Sequence, residues 1–192
     1  GVTSPAGFVA GATYAGIKTY GPEPRLDVGI LGSDRECAVA GVFTRSQVCG
    51  APVALTRRRT SAGHARGLVA NSGNSNVATG ESSARDAERM AELAAATLGV
   101  AASDMLVAST GVIGRPLPME RVEAACAGIS LAPDGGAAFA RAIMTTDTAP
   151  KSVAVRMEHG GRAYTIGAAA KGAGMVHPDM ATVLCFVTTD AP

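Results

Sequence analysis

A chain of 192 residues is long enough to bury one sizeable core. Its 47% hydrophobic content, 24 glycines and only 17% charged residues exclude a disordered polypeptide. The formal charge of +1, from 17 basic and 16 acidic residues spread along the chain, excludes a broad electrostatic field for nucleic acid or a membrane surface.

Four widely spaced cysteines, Cys37, Cys49, Cys126 and Cys185, show no CxxC pairing, which argues against a zinc knuckle or a disulfide framework. Reduced, mostly buried thiols are expected. No apolar stretch approaches the ~20 residues of a membrane span, and the first residues lack a basic segment followed by a hydrophobic signal core. A soluble cytoplasmic protein is therefore expected, with no nucleic-acid or membrane partner. The cluster Arg57-Arg58-Arg59 is expected in a solvated loop.

In chain order, short apolar segments at 26–31, 37–43, 52–56 and 67–71 have the length of strands and are punctuated by Gly, Pro and Ser. Over 82–98 the period changes: Ala84, Ala87, Met90, Ala91, Ala94 and Leu98 recur at helical spacing with charges opposite. Ser82 or Ser83 suits the cap of that helix, and Gly99 suits its stop. A buried strand is expected over 105–108, ending in a turn over 109–114. A helix follows, with Pro118 and Glu120 in its first turn and Val122, Ala125 and Cys126 as its apolar stripe. Residues 139–144 are helical in character. Residues 152–157 and 162–167 flank His159-Gly160-Gly161, a hairpin signal, and a last strand is expected over 182–188. Strands separated by occasional helices, without strict βαβ repetition, predict an α+β or layered α/β body.

The segment 171–182, Lys-Gly-Ala-Gly-Met-Val-His-Pro-Asp-Met-Ala-Thr, delivers a small residue and then a threonine to the start of a strand. Such a join suits self-cleavage. The Thr182 hydroxyl can attack the Ala181 carbonyl, convert the amide to an ester and, after hydrolysis, leave a free Thr182 amine. That amine then serves as base for its own hydroxyl, which is a weak nucleophile unaided. On residue types alone, an Ala-Thr pair that merely packs at a strand start fits as well.

Six ordered segments go further: 1–8, 42–45, 71–80, 109–114, 144–151 and 171–190. The most specific are Ser-Thr-Gly-Val-Ile-Gly at 109–114, Thr-Thr-Asp-Thr-Ala-Pro-Lys at 145–151, and Lys-Gly-Ala-Gly-Met followed by Pro-Asp-Met-Ala-Thr. Through them the chain resembles the bifunctional glutamate N-acetyltransferase and ornithine acetyltransferase family of arginine biosynthesis. The resemblance implies a self-cleaving fold of the N-terminal-nucleophile type, layered sheets flanked by helices, cut between Ala181 and Thr182. Residues 1–181 would form an α chain and 182–192 the start of a β chain.

It further implies that Thr182 carries acetyl from N-acetylornithine to glutamate in a ping-pong cycle. Thr110 and Gly111 would supply the oxyanion hole, and Thr148, Lys171 and Thr182 would contact substrate. No metal or cofactor is implied, although some members also accept acetyl-CoA. The partner implied is the β chain of the same precursor, in a heterotetramer of two α and two β chains.

Lys171 also has a physical rationale, since a cation among glycine turns can hold the carboxylate of an amino acid. Its other reading is a surface lysine. The chain has only Lys18, Lys151 and Lys171 against 14 arginines. Ala173 and Asp179 stand where many relatives have Ser and Asn. His177 could influence proton transfer or be structural. Asn71, Asn74 and Asn76 could support the site or satisfy turn backbone. Cys185 is expected in the core. Two other functional readings stay open: a self-processed amidase or aminopeptidase in which water accepts the acyl group, and a non-catalytic subunit that scaffolds a partner.

Overall fold

The computed structural model describes residues 1–19, 25–176, 180 and 182–192. His177, Asp179 and Ala181, singled out from the sequence, lie outside the described residues. The first sheet has the order β1 (Phe8–Thr13), β2 (Val28–Ala38), β3 (His64–Asn74) and β4 (Met105–Val112), antiparallel except for the parallel β3–β4 pair. The second is an antiparallel meander of β5 (Lys151–His159), β6 (Arg162–Lys171) and β7 (Leu184–Thr189). The helices are α1 (Ala51–Thr60), α2 (Ser82–Leu98), α3 (Met119–Gly128) and α4 (Gly136–Ala142). This is the layered α/β body that the spacing of elements predicts.

Because side chains alternate across a strand, the first sheet buries two different faces. Val28, Ile30, Val69, Met105 and Val107 pack against Leu55 of α1, Ala87, Met90, Ala91 and Ala94 of α2, and Val122 and Cys126 of α3. On the opposite face, Ala10, Leu31, Leu68, Ala70 and Leu106 pack on Phe139 and Ala140 of α4, on Ile143 and on Ala169 of β6. The Phe139 ring meets Phe186 of β7 edge-on, with centroids 5.5 Å apart and planes at 71°. α4 and the second sheet thus form a layer behind the first sheet.

The helix expected at 82–98 is α2, and Gly99 ends it in the left-handed conformation at φ 73°. Its cap differs from expectation. Glu81 is the N-cap, and the Ser82 and Ser83 hydroxyls instead donate back to Thr79 O at 3.1 Å and Gly80 O at 2.6 Å. The hairpin stands, with Gly160 and Gly161 both at positive φ, 59° and 74°, as a tight turn between twisted strands requires.

Several sequence expectations are corrected. Residues 52–56 belong to α1: Pro52 sits in its first turn, where the missing N–H costs nothing, and Pro52 and Leu55 are buried. A five-residue apolar run is too short to tell a helix from a strand. Arg57, Arg58 and Arg59 accordingly form the last turn of this helix, not a loop; Arg58 and Arg59 both reach Glu88, at 2.5 and 2.6 Å. Of 37–43 only Cys37 and Ala38 are strand, because Ala38 pairs with His64, the first residue of β3, and beyond it no strand among the described residues pairs with this segment. The strand at 105–108 runs on to Val112, since its pairing with β3 continues through Ser109, Thr110 and Gly111. Cys185 is exposed: Phe186 turns inward to Phe139, so its neighbours face out. Cys126 alone among the cysteines is buried, which pushes its thiol up to about 12.

Phe139 is fully buried at the junction of both sheets. Phe139→Ala is expected to lower the unfolding free energy by about 3–5 kcal/mol, read by urea denaturation; a loss under about 1 kcal/mol would show that the two sheets do not depend on this ring.

Candidate active site

The parallel pairing of β3 with β4 sets Ser72 beside Thr110 and Gly73 beside Gly111. Gly111 has φ 135°, and a Cβ there would stand 2.4 Å from Gly73 C, so only glycine lets the two backbones close to this distance. Thr110 is 3% exposed and lies on the face that looks toward the second sheet.

Lys171, the last residue of β6, crosses to it. Its ammonium, in a residue only 3% exposed, donates to Thr110 Oγ1 at 3.2 Å and to Thr182 O at 2.9 Å. Burial lowers the Lys171 pKa, and the neighbouring Asp147 raises it in part. Because an ammonium only donates, the Thr110 hydroxyl accepts here and keeps its own hydrogen free to give. Thr182 precedes β7 and donates its hydroxyl to Met175 O. The structure therefore brings together Thr110, Gly111, Lys171 and Thr182, and the reading of Lys171 as a surface lysine is excluded by its burial.

Thr148 is not gathered in. It is exposed on the loop between α4 and β5 and makes no hydrogen bond among the described residues. Its neighbour Asp147, which sequence reasoning passed over, does more. The side chain is 1% exposed; Oδ1 accepts from Lys151 Nζ at 2.5 Å and from Gly172 N at 2.9 Å, while Oδ2 accepts from Thr145 N at 3.2 Å. Asp147 thus pins the 145–151 segment to the residue after Lys171. Burial pushes its carboxyl up, but Lys151 and the two backbone amides outweigh that and hold it at about 2.

The asparagines serve backbone. Asn71 Nδ2 donates to Asn74 O, Asn74 Nδ2 to Arg115 O and Pro116 O, and Asn76 Nδ2 to Ser83 O. They brace the loop behind Gly111. Lys18, also passed over, is buried against Gly73. A scarcity of lysines was the signal that could have found it. Among the described residues no group of three or more His, Cys, Asp or Glu could hold a metal ion, and no helix is long and apolar enough to cross a membrane. A surface hollow lined by Gly41, Phe43, Thr44 and Arg57 contains none of the residues above.

The Asp147 carboxyl ionises more readily folded than at its ordinary value of 3.8. Its charge therefore stabilises the fold above about pH 4, and that contribution fades as pH falls toward about 2. Asp147→Asn is expected to cost about 2 kcal/mol at pH 7 in urea melts, the gap closing below about pH 4. A gap that stays constant down to about pH 2 would mean that the charge is not what matters.

Residues 9–192 match the model of the ArgJ family. The chain is 58% identical over 193 residues to the arginine biosynthesis bifunctional protein ArgJ of Symbiobacterium thermophilum, covering 100% of this chain and 48% of that protein. It is 46% identical over 190 residues to that of Dehalococcoides mccartyi, covering 99% and 47%. The chain thus spans about half the length of the curated relatives it matches. Among solved structures, ornithine acetyltransferase of Mycobacterium tuberculosis complexed with ornithine matches with a TM-score of 0.85 at 40% identity, covering 96% of each chain. The arginine biosynthesis bifunctional protein argJ of Bacillus halodurans matches at 0.87 and 34%, covering 94% of each. With the same fold and this degree of identity along nearly its whole length, the chain belongs to the ArgJ family.

Proposed function

We propose that this chain is the first part of a cytoplasmic acetyltransferase of arginine biosynthesis that moves acetyl from N-acetylornithine to glutamate through Thr182. The observation that carries the reading is the Lys171 ammonium, which holds the Thr110 hydroxyl and the Thr182 carbonyl in one buried cluster. The proposed nucleophile lies just ahead of β7 and the proposed oxyanion donors lie on β4 of the other sheet, and this contact joins them.

In the maturation step the Thr182 hydroxyl adds to the Ala181 carbonyl carbon, the C–N bond breaks, and the nitrogen takes the proton to become an amine. Water then hydrolyses the ester. In the first half-reaction the Thr182 amine removes the hydroxyl proton as Oγ attacks the acetyl carbonyl. Thr110 O–H and Gly111 N–H receive the negative oxygen, and ornithine leaves with the proton on its amine. In the second, the glutamate amine attacks the acetyl ester, N-acetylglutamate leaves, and the Thr182 hydroxyl is restored. These steps require no metal or cofactor, and acetyl-CoA can load the same hydroxyl.

Residues 1–181 then form an α chain and 182–192 begin a β chain, the two pairing within a heterotetramer. In support, the solved relatives are matched almost end to end while the curated relatives are about twice as long. The outer face of the second sheet is also apolar and exposed, through Val153, Val155 and Val187. The remaining half of the family's length would cover it. Thr148 and Lys171 are proposed substrate contacts.

Mass spectrometry of the full-length protein tests the reading: wild type is expected to break before Thr182 and Thr182→Ala to stay whole. N-acetylornithine is expected to leave an acetyl mass on the chain that begins with Thr182. An uncut yet active wild type would overturn the mechanism, and hydrolysis without transfer to glutamate would point to an amidase. Thr110→Ala is expected to lower kcat by about a hundredfold or more, with cleavage and transfer measured separately.

A further inference from the structure

Strand β7 starts two residues after Thr182, so the place of the proposed nucleophile depends on where that strand sits against β6. Their pairing runs from Lys171 opposite Leu184 to Ile166 opposite Thr189. In an uncut chain the peptide bond to Ala181 also holds Thr182. After a cut, the segment from Thr182 becomes a new amino-terminal strand, and terminal segments fray unless they are tied down.

The head of this strand is tied by Lys171, whose ammonium donates to Thr182 O at 2.9 Å. The tail is tied by Asp190, a half-buried residue just past the last strand pair. Asp190 Oδ1 accepts from Thr165 N at 2.6 Å, and Oδ2 accepts from Ala6 N at 2.8 Å. Beside it, Thr189 Oγ1 donates to Thr165 O at 2.9 Å, and the buried Thr188 hydroxyl donates to Val2 O at 2.8 Å. The two amides hold the Asp190 carboxyl below its ordinary 3.8, so it is charged at neutral pH. Bonds from backbone amides to a carboxylate are stronger than neutral ones. Residues 1–8, one of the segments that carry the family resemblance, take no part in the Thr110–Lys171 cluster. They meet the strand here instead, through Val2 and Ala6.

Alternation alone does not fix the register of β7. A slip of one residue would turn Phe186 away from Phe139, but a slip of two keeps the same face inward. Such a slip moves Thr182 about 7 Å along the strand and away from Lys171. Asp190 opposes it, because it is the only acidic residue among 182–192 and the amides of Ala6 and Thr165 are matched only when it lies between them.

We propose that Asp190 is a positioning residue that holds the Thr182 strand in register on the remainder of the chain after the cut. The inference rests on the self-cleavage reading. Both amides that Asp190 binds would belong to the α chain, whereas Asp190 itself would belong to the β chain. Its carboxylate touches no reacting atom and acts only through β7.

Disulfide trapping in the full-length protein reads the register through the exposed Cys185. Cys185 stands opposite Ala170, and a slip of two residues toward the tail sets it opposite Ala168. Directly opposed residues lie about 4.5–5.5 Å apart at Cα, within the span of a disulfide. With Asp190 present, Ala170→Cys is expected to cross-link to Cys185 and Ala168→Cys is not, as mapped by mass spectrometry. In cut Asp190→Ala protein the first cross-link is expected to give way to the second, while the uncut Thr182→Ala background keeps the first. The same variant is expected to lower kcat for acetyl transfer by about tenfold or more, with KM little changed because Thr148 and Lys171 lie outside the strand. Asp190→Asn, which keeps the shape and turns an acceptor into a donor, is expected to act alike and serves if the alanine variant does not fold. An unchanged cross-link pattern after the cut, or an unchanged kcat, would overturn the inference and leave the self-cleavage reading intact. Equal loss of the first cross-link in cut and uncut protein would also overturn it, since Asp190 would then serve folding alone. If wild type stays uncut, the reading beneath the inference fails, and the inference falls with it.

Discussion

The Lys171 ammonium is the contact on which the site depends. A buried cation is costly unless its donors are met, and here two of them are met by oxygens from different parts of the fold, Thr110 on the first sheet and Thr182 ahead of the last strand. The approach to β7 is thereby fixed relative to β4. Asp147 supports this from outside by anchoring Gly172, the next residue, so the end of β6 is held both by its lysine and by its following amide. Loss of either contact would free the segment that carries Thr182.

The two-layer packing sets where that contact falls. Alternation sends one face of the first sheet to α1, α2 and α3 and the other to α4 and β6. Thr110 belongs to the second of these faces, two residues beyond Ala108 and four beyond Leu106, and inherits its direction from the apolar register. The same alternation turns Phe186 into the core and leaves Val187 exposed. Packing chosen for the core therefore aims the polar residue at the site, and the glycine pair Gly73 and Gly111 closes the backbone around it.

Charge is distributed by kind. Arginines such as Arg35, Arg58 and Arg89 make exposed or half-exposed ion pairs, which contribute little to stability. Two of the three lysines, Lys18 and Lys171, are buried instead. Their acidity can be tuned by burial, whereas a guanidinium stays charged wherever it lies.

The amphipathic period of α2, the hairpin at Gly160-Gly161 and the glycine stop at Gly99 were legible because each is a local pattern whose geometry a few neighbouring residues determine. The motif residues Thr110, Gly111, Lys171 and Thr182 were legible by resemblance. What remained hidden depends on partners distant in sequence. Residues 52–56 are helical because Pro52 opens a turn and Leu55 finds the core, 37–43 stops pairing because β3 begins at His64, and Cys185 faces out because Phe186 has Phe139 to meet. Asp147 and Lys18 looked unremarkable in the sequence, since nothing local says that a carboxylate will be sealed against Gly172 or an ammonium behind Gly73. The sequence by itself determined the elements with a clear local period and the motif residues proposed for the site; only the tertiary structure decided where short apolar runs pair and which side chains are buried together, because burial and hydrogen bonding arise between segments that the chain separates by up to 186 residues.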